Sequence, residues 1–573
     1  MDQLKQAWAE LTAAGAAFEM TDMNVLGNEM RVFKAAPPSM RMLWEMAAGY
    51  SDRDYIVYED ERYTYAEIDA QVRSLAAALV ERFGVGSGDR VAIAMRNYPE
   101  WVVGYWATIC TGAAVVGMNA WWTSAEMEFG LRDSAPKVLI ADGERLARVA
   151  PLLNGLRAAA PLEVIAVRAG DTPKAIDVLA WGDVVRPDEA PAALPPAVID
   201  ADDDACIFYT SGTTGAPKGA QLTHRGSVSN LMNLAFWSTV SGLATAKAAV
   251  AAGGVPPATA SSDAQSVYMA PTPLFHVTAN NCLLQPCTLT GGRIVLTYRW
   301  DPARALELIE REGVTNFSGV PTMSRELLAH PDWGRRNTSS LAAIGGGGAA
   351  LQPDLVAKID ATVDAGVPST GYGLTETNGI VTANSAAFFV AKPASCGPAM
   401  PTFDVRLVDD DGTVLAPGSV GQLCVKGPSV IRGYLNRPEA TAEDIQEGYF
   451  NTGDIAKIDD DGFIYIVDRA KDMVLRGGEN VYCSEVESAI YTNAAVAEVV
   501  VFGIPDERLG EEVGAALVLH AGAVLTEDDL RAHLGERIAK HKIPSRVWFL
   551  DEQLPRNANG KFVKREVKAR LLA

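Results

Sequence analysis

The chain has little cysteine and too little positive charge to balance its acids, and each shortage excludes a class of protein. Seven cysteines are scattered along 573 residues, which is too sparse for a disulfide framework and is typical of reduced thiols in the cytoplasm. Fifty Lys and Arg residues stand against 71 Asp and Glu residues, a formal net charge of −21. Because nucleic acids are polyanions, this balance argues against broad nucleic-acid binding. We therefore expect a cytoplasmic protein with no nucleic-acid partner.

The sequence also lacks recognisable targeting segments. Its first ten residues are polar and charged, without the apolar core of a signal peptide, and its last six match no prenylation, retention or peroxisomal signal. The uncharged run Trp101–Trp122 is long enough to suggest a membrane span. However, Gly112 interrupts it and polar residues lie within it. We expect a buried helix at about 101–111 and a buried strand at about 114–119, with no stable membrane span.

A metal site is not evident either. Cys282 and Cys287 are separated by four residues, and His276 lies nearby. A zinc site needs a fourth ligand, and none can be placed from the sequence. We expect buried thiols at these positions.

Short apolar strands alternate with helical runs over most of the chain, whose length is too great for a single core. Such alternation predicts an α/β fold with two mostly parallel sheets covered by helices, such as Tyr65–Phe83 and Pro302–Glu312. The predicted strands are Arg90–Met95, Ala114–Met118, Val138–Ala141, Val164–Val167, Cys206–Tyr209, Val267–Ala270 and Ile294–Leu296.

Two later stretches of the sequence depart from this alternation of strands and helices. Ser241–Gln265 consists mostly of small residues with three Gly and two Pro, which predicts a surface insertion or mobile loop. After Pro398, short strands and Asp-Gly turns predict an antiparallel, hairpin-rich β subdomain at 398–469. We expect a large domain at 1–469 and a small, mobile α+β domain at 470–573.

The stretch 208-FYTSGTTGAPKGAQLTH-224 looks like a phosphate-binding loop. It fails the P-loop pattern G-x-x-x-x-G-K-[ST] in two places. Pro217 replaces a glycine and has no N–H to donate, and Gly219 replaces the hydroxyl residue that binds Mg²⁺. These departures argue against a Walker-type NTPase. A hydroxyl-rich loop that grips phosphate and a plain Gly/Ser surface turn both remain open.

This stretch closely resembles the phosphate-binding signature of the acyl-adenylate-forming superfamily, which includes acyl-CoA and aryl-CoA ligases, adenylation domains of peptide synthetases, and beetle luciferases. Five further signatures of that family follow in order, so the resemblance covers nearly the whole chain and is closest to stand-alone acid–CoA ligases. They are 345-GGGGAAL-351, 371-GYGLTET-377, 449-YFNTGDIA-456, 467-VDRAKDMVLRGGENVYCSEVE-487 and 555-PRNANGK-561.

The resemblance implies a two-step reaction. A carboxylate attacks the α-phosphate of ATP and gives an acyl-adenylate and pyrophosphate. A thiol, usually that of coenzyme A, then displaces AMP. A carboxylate is a poor electrophile, and joining it to AMP supplies a good leaving group, so catalysis is mostly positioning and charge stabilisation at the α-phosphate.

The resemblance also implies roles for individual residues. Lys561 would bridge the substrate carboxylate and the phosphate oxygens, Thr375 would bind the α-phosphate, and Glu376 would hold Mg²⁺. Asp454 and Arg469 would hold the ribose. The remaining ATP and AMP contacts would come from Thr210, Ser211, Gly212, Thr213, Thr214, Gly215, Lys218, Gly348, Ala349, Ala350, Tyr372 and Gly373.

Tyr372, and two positions where the chain departs from the family, bear on the adenine contacts. Tyr372 lies between glycines that would leave its ring free to stack on adenine. The chain departs from the family at Ala350, where a Pro is common, and at Thr370, where an amide side chain is common. Adenine contacts from Ala350 and Thr370 are therefore the least secure.

The family works by domain rotation, which implies two states of this chain. In the first, the small domain brings Lys561 to the site. In the second, the loop of Gly477 and Gly478 faces the site and lines the tunnel of the thiol. The matching hinge is Lys471, which would absorb the change in φ and ψ.

The sequence defines the substrate acid less closely than it defines the reaction. The substrate wall should include His276, Val320 within Phe317–Thr322, and Gly346 and Gly347 within four consecutive glycines that leave space. No extra cation stands nearby to pair a second carboxylate. We expect an apolar fatty or aryl monocarboxylic acid.

Three alternatives stay open. The acyl group could pass to a separate carrier protein instead of coenzyme A, and a luciferase-like oxygenase would use the same first step. A non-catalytic ATP-binding scaffold would be expected to lack Lys561 or Glu376, and both are present. The sequence also leaves open whether the chain forms a homodimer.

Overall fold

The computed structural model describes residues 1–170, 177–210, 217–255, 264–363 and 366–572. The strands, numbered along the chain, are β1 Met20–Val25, β2 Asn28–Phe33, β3 Asp54–Tyr58, β4 Glu61–Thr64, β5 Arg90–Ala94, β6 Ala114–Gly117, β7 Val138–Asp142, β8 Glu163–Val167, β9 Leu179–Ala180, β10 Asp204–Thr210, β11 Lys218–Thr223, β12 Val267–Ala270, β13 Arg293–Leu296, β14 Asn316–Gly319, β15 Ala343–Gly347, β16 Val367–Leu374, β17 Gly379–Ser385, β18 Gly397–Pro398, β19 Asp404–Val408, β20 Val420–Lys426, β21 Gly433–Tyr434, β22 Ile445–Gln446, β23 Tyr449–Ile458, β24 Phe463–Arg469, β25 Val474–Arg476, β26 Glu479–Val481, β27 Val496–Asp506, β28 Gly510–Leu519 and β29 Arg546–Leu550. The α-helices are α1 Asp2–Thr12, α2 Met40–Ala47, α3 Tyr65–Glu81, α4 Pro99–Thr111, α5 Ser124–Ser134, α6 Gly143–Val149, α7 Leu153–Ala159, α8 Trp181–Val184, α9 His224–Ala251, α10 Val277–Ala279, α11 Gln285–Leu289, α12 Pro302–Glu312, α13 Pro321–Ala329, α14 Pro353–Thr362, α15 Ala386–Ala391, α16 Pro438–Asp444, α17 Cys483–Tyr491, α18 Glu527–Gly535 and α19 Lys564–Leu572.

Two eight-stranded sheets form the centre of the molecule. Their strand orders are β21-β11-β10-β6-β5-β7-β8-β9 and β17-β16-β15-β14-β12-β13-β3-β4. Their inner strands pair in parallel, and antiparallel pairs occur only towards the edges. The predicted α/β class is confirmed, and each predicted strand overlaps an observed one.

Helix α4 explains the uncharged run that resembled a membrane span. Every residue of α4 except the partly exposed Glu100 is buried, and most of its apolar side chains belong to a core cluster that also contains residues of both central sheets. Gly112 ends the helix in a left-handed conformation at φ 80°, and β6 follows. The predicted buried helix and strand are therefore confirmed, and no helix in the described ranges is long and apolar enough to cross a bilayer.

The hairpin-rich region forms a six-stranded antiparallel sheet of order β18-β24-β23-β20-β19, with β22 beside β23. A five-stranded sheet, of order β26-β25-β28-β27 with β29 beside β28, is built only from residues after 470. We call residues 1–469 the large lobe and residues 470–572 the C-terminal lobe. That these lobes are domains that move stays a prediction.

The prediction of a loop over Ser241–Gln265 is wrong for its first part. Helix α9 continues to Ala251, because this stretch is rich in alanine, the strongest helix former. The helix ends where Gly253 takes φ 76° and its amide donates to the carbonyl of Val250. Residues 256–263 lie outside the described ranges.

The thiols show no metal centre in the part of the chain that the structure describes. Cys287 is buried and Cys282 is partly buried, and neither forms a disulfide. No group of three or more His, Cys, Asp or Glu side chains there is arranged to hold a metal ion.

Candidate active site

The second central sheet presents several predicted residues where its parallel strands end. Gly346 and Gly347 close β15, and Tyr372 and Gly373 lie near the end of β16. A single turn, Thr375–Thr377, follows directly and carries Glu376. Because the carboxyl ends of parallel strands meet at one edge, this edge is the natural ligand crevice of the sheet.

Asp454 is buried beside this edge and is held from two sides. The hydroxyl of Tyr372 donates to its Oδ2 at 2.7 Å, and Nε of Arg469 lies 3.0 Å from its Oδ1. Burial raises the pKa of Asp454, and the positive charge of Arg469 opposes this shift. A carboxylate offers about four acceptor positions, so two remain for the hydroxyls of a ligand.

The same contact constrains Tyr372. Burial and the adjacent Asp454 raise its pKa, so its hydroxyl stays protonated and donates. The tyrosine thus has its polar end fixed on Asp454, which orients its ring. Stacking of that ring on adenine stays a prediction.

Glu376 is fixed by a residue that the sequence analysis missed. The hydroxyl of Tyr434, in β21, donates to Oε1 of Glu376 at 3.2 Å. Burial raises the pKa of Glu376. Mg²⁺ usually takes one or two carboxylates together with substrate phosphates and water. A single oriented carboxylate fits that requirement.

Lys561 reaches the site from the C-terminal lobe. It lies at the end of a tight turn in which Oδ1 of Asn557 accepts from its amide at 3.1 Å. Its side chain passes over Gly348, where a Cβ atom would lie 2.8 Å from Cε and 3.2 Å from Nζ of the lysine. Gly348 also has φ 81°, a backbone conformation that favours glycine at this position.

Charged groups near Lys561 shift its pKa. Burial and the positive charge of Arg469 lower its pKa to about 8, and the carboxylates of Asp454 and Glu376 oppose the shift. Burial and the charge of Lys561 lower the pKa of His276 to about 3, so this histidine is neutral near pH 7. Lys561 therefore lies within electrostatic reach of Arg469, Asp454, Glu376 and His276.

The wall of four glycines differs in part from its prediction. A Cβ atom at Gly345 would lie 2.2 Å from Oγ of Ser369, so that glycine is required by packing and leaves no space. At Gly346 it would lie 3.3 Å from the amide nitrogen of Pro321. Only at Gly347 are the nearest atoms 4.0 Å away. Open space along this wall is therefore confined to Gly347, and Val320 is buried.

Lys218 is engaged elsewhere in this structure. Its Nζ lies 3.2 Å from Oδ2 of Asp444 and 4.5 Å from the ring centroid of Tyr434. Since Tyr434 also contacts Glu376, Lys218 is one side chain removed from the predicted metal ligand. Its contact with pyrophosphate stays a prediction, as does that of Thr210 at the end of β10.

The other predicted positions are less informative. Residues 211–215 of the phosphate loop lie outside the described ranges. Ala349 and Ala350 are exposed, and Thr375 is buried. Gly477 and Gly478 form the turn between β25 and β26 with φ 59° and 87°, and Gly477 donates to the carbonyl of Leu509 in the same lobe.

The chain matches known protein families over most of its length. Residues 43–435 match the model of the AMP-binding enzyme family, and residues 485–561 match that of the AMP-binding enzyme C-terminal domain. The chain is 37% identical over 512 residues to feruloyl-CoA synthase of Amycolatopsis sp, covering 88% of this chain and 94% of that protein. It is 30% identical over 549 residues to the long-chain-fatty-acid–CoA ligase of Bacillus subtilis strain 168, covering 92% and 93%.

A solved structure shows the same architecture. ATP-bound MatB from Rhodopseudomonas palustris superposes with a TM-score of 0.76 at 30% identity, covering 92% of this chain and 98% of that one. The similarity therefore extends over both lobes, and the similar structure is one with ATP bound. The chain belongs to the AMP-binding enzyme family, the acyl-adenylate-forming superfamily, and is an AMP-forming acid–thiol ligase.

Proposed function

We propose that the protein is an ATP-dependent acid–CoA ligase that activates an apolar fatty or aryl monocarboxylic acid. The observation that carries this proposal is the position of Lys561, which lies over Gly348 within the field of Asp454, Arg469 and Glu376. A lysine brought from a separate lobe into a site with two acceptor carboxylates is suited to a substrate with negative charge at its reacting centre.

In the first step, Asp454 and Arg469 hold the ribose and Lys561 lies between the carboxylate of the acid and the α-phosphate. The ammonium group stabilises the negative charge that builds up as the carboxylate oxygen attacks phosphorus and pyrophosphate leaves. Glu376 is placed to hold Mg²⁺, which when bound neutralises charge on the phosphate oxygens. The thiol of coenzyme A then attacks the acyl carbon, and AMP leaves.

The described wall favours an acid without a second charge. His276 is neutral, Val320 is apolar, and the two cations named at this site, Lys561 and Arg469, already face carboxylates or the reacting centre. A second carboxylate would therefore be desolvated without a partner. The names of the relatives, feruloyl-CoA synthase and long-chain-fatty-acid–CoA ligase, are compatible with this class.

A panel of acids tests the proposal directly. Pyrophosphate release is measured with Mg²⁺ and ATP for ferulic, palmitic and succinic acids, each with and without coenzyme A. We expect pyrophosphate release with ferulic or palmitic acid and little pyrophosphate release with succinic acid. Multiple turnovers and release of AMP are expected only when coenzyme A is present. Absence of release with every acid in the panel would overturn the proposal, and turnover with a carrier protein alone would reassign the acceptor.

The lowered pKa of Lys561 predicts how adenylation depends on pH. The charged lysine is the active form, and its pKa is about 8 in the free enzyme. We therefore expect kcat/KM for ATP in pyrophosphate release to fall as the pH rises through about 8, by up to tenfold per pH unit. Lys561→Arg, whatever its residual rate, should lack this fall because arginine stays charged. A wild-type profile that is flat from about pH 7 to 10 would contradict the role of Lys561.

A further inference from the structure

The turn that carries Lys561 is held by Arg556, which contacts both lobes. Arg556 pairs with Phe562 across the turn in an isolated β-bridge. One of its terminal nitrogens, Nη1, donates to Oε1 of Glu326 at 2.8 Å, and the other donates to Oε1 of Glu498. Glu326 lies on α13 of the large lobe, whereas Glu498 lies on β27 of the C-terminal lobe. One guanidinium therefore connects the two lobes next to Lys561.

Each of these carboxylates is oriented by a second donor. The indole nitrogen of Trp300 donates to Oε2 of Glu326 at 2.6 Å. The amide of Leu554 donates to Oε2 of Glu498 at 2.8 Å. Both acceptors are thus held in place without Arg556, and the fork of two N–H groups on Arg556 fits between them.

The two contacts differ in what a movement of the lobes would do to them. Arg556 and Glu498 belong to the same lobe, and Glu498 is buried, so their contact is kept when the lobe moves. Only the contact with Glu326, which is partly exposed, is lost when the lobes separate. Because Arg556 keeps its buried partner Glu498, separating the lobes leaves no buried charge unpaired. The free-energy cost of breaking the contact with Glu326 therefore stays low.

We propose that Arg556 and Glu326 form a latch that positions Lys561 for adenylation and is released before the thioester step. This inference rests on the proposed function, since it assumes that adenylation requires Lys561 in its present place. Glu326 is a positioning residue that acts through Arg556 and the turn. Weakening the latch lowers the fraction of molecules with Lys561 in the site and leaves the second arrangement untouched.

The variant Glu326→Gln tests the latch. Glutamine keeps the size of the side chain and an acceptor for Trp300, and it removes the charge that Arg556 meets. We expect the rate of pyrophosphate release in a single turnover to fall roughly tenfold, the size expected for one charge-assisted contact. Thioester formation from supplied acyl-adenylate should stay within about twofold of wild type or rise. The conservative Glu326→Asp should recover part of the adenylation rate.

A matched control separates the latch from a general charge effect. Glu552 and Arg570 form an exposed pair within the C-terminal lobe, so Glu552→Gln should change neither half-reaction. Equal loss of both half-reactions in Glu326→Gln, or no loss of adenylation, would overturn the latch. If the wild type itself released no pyrophosphate with any acid, the proposed function would fail instead, so the two failures are distinguishable.

Discussion

Replacing Lys561 with alanine is expected to reduce pyrophosphate release from acid and ATP by about 10²–10³-fold, the usual cost of removing one donor that stabilises a transition-state charge. The same variant should make thioester from supplied acyl-adenylate at a rate within about twofold of wild type. Only the first step should need this lysine, because Lys561 enters the site from the C-terminal lobe and leaves with it in the second proposed state. Separate assays of the two half-reactions give both numbers.

Lys568 supplies the control for this experiment. It lies on α19 in the same lobe, about two-fifths exposed, with Glu511 at 3.9 Å as its nearest acid. Lys568→Ala should leave both half-reactions at the wild-type rate. Equal loss of both half-reactions in Lys561→Ala would show that the lysine supports the whole site, and the two-state account would then be wrong.

Lys471→Pro should have the reverse effect, with adenylation retained and the thioester step reduced by at least about tenfold. Lys471 is exposed in the turn between β24 and β25, where the large lobe ends. Proline fixes φ near −65° and prevents the rotation that a hinge must absorb. The hydrogen bonds of the turn are donated by the amides of Ala470, Asp472 and Met473, so a proline at 471 leaves these donors in place.

The side chain of Lys471 has no expected role of its own. Lys471→Ala should therefore keep both half-reactions, which separates a backbone hinge from a catalytic lysine. Pyrophosphate release without thiol, followed by thioester formation on addition of coenzyme A, reports the two steps in turn. A proline variant that completes both steps at the wild-type rate would place the hinge elsewhere.

Much of the fold could be predicted because buried elements leave a strong compositional signal. Helix α4 and strand β6 are continuous apolar runs, and they were predicted within two residues of their observed bounds. The end of α9 was missed because an alanine-rich helix with little apolar area resembles a loop, especially where Gly and Pro follow. There, backbone propensity decided the structure, and the hydrophobic pattern carried little information.

The candidate site could be predicted where a local motif marks it. Tyr372, Asp454 and Lys561 each lie in a signature of the family, and the structure brings them together. Tyr434 and Glu326 were missed because they act through partners 58 and 230 residues away along the chain. Contacts at such separations leave no pattern in a short window, and only the folded chain reveals them.

One isotope experiment tests the central claim, that the carboxylate of the acid attacks the α-phosphate of ATP. The acid that gives the fastest pyrophosphate release is labelled with ¹⁸O in both carboxylate oxygens and is converted with ATP and coenzyme A. Because the oxygen that bridges the acyl group and AMP comes from the acid, mass spectrometry should find one ¹⁸O atom in the phosphate of each AMP. Label in inorganic phosphate, formation of ADP, or unlabelled AMP would contradict the account.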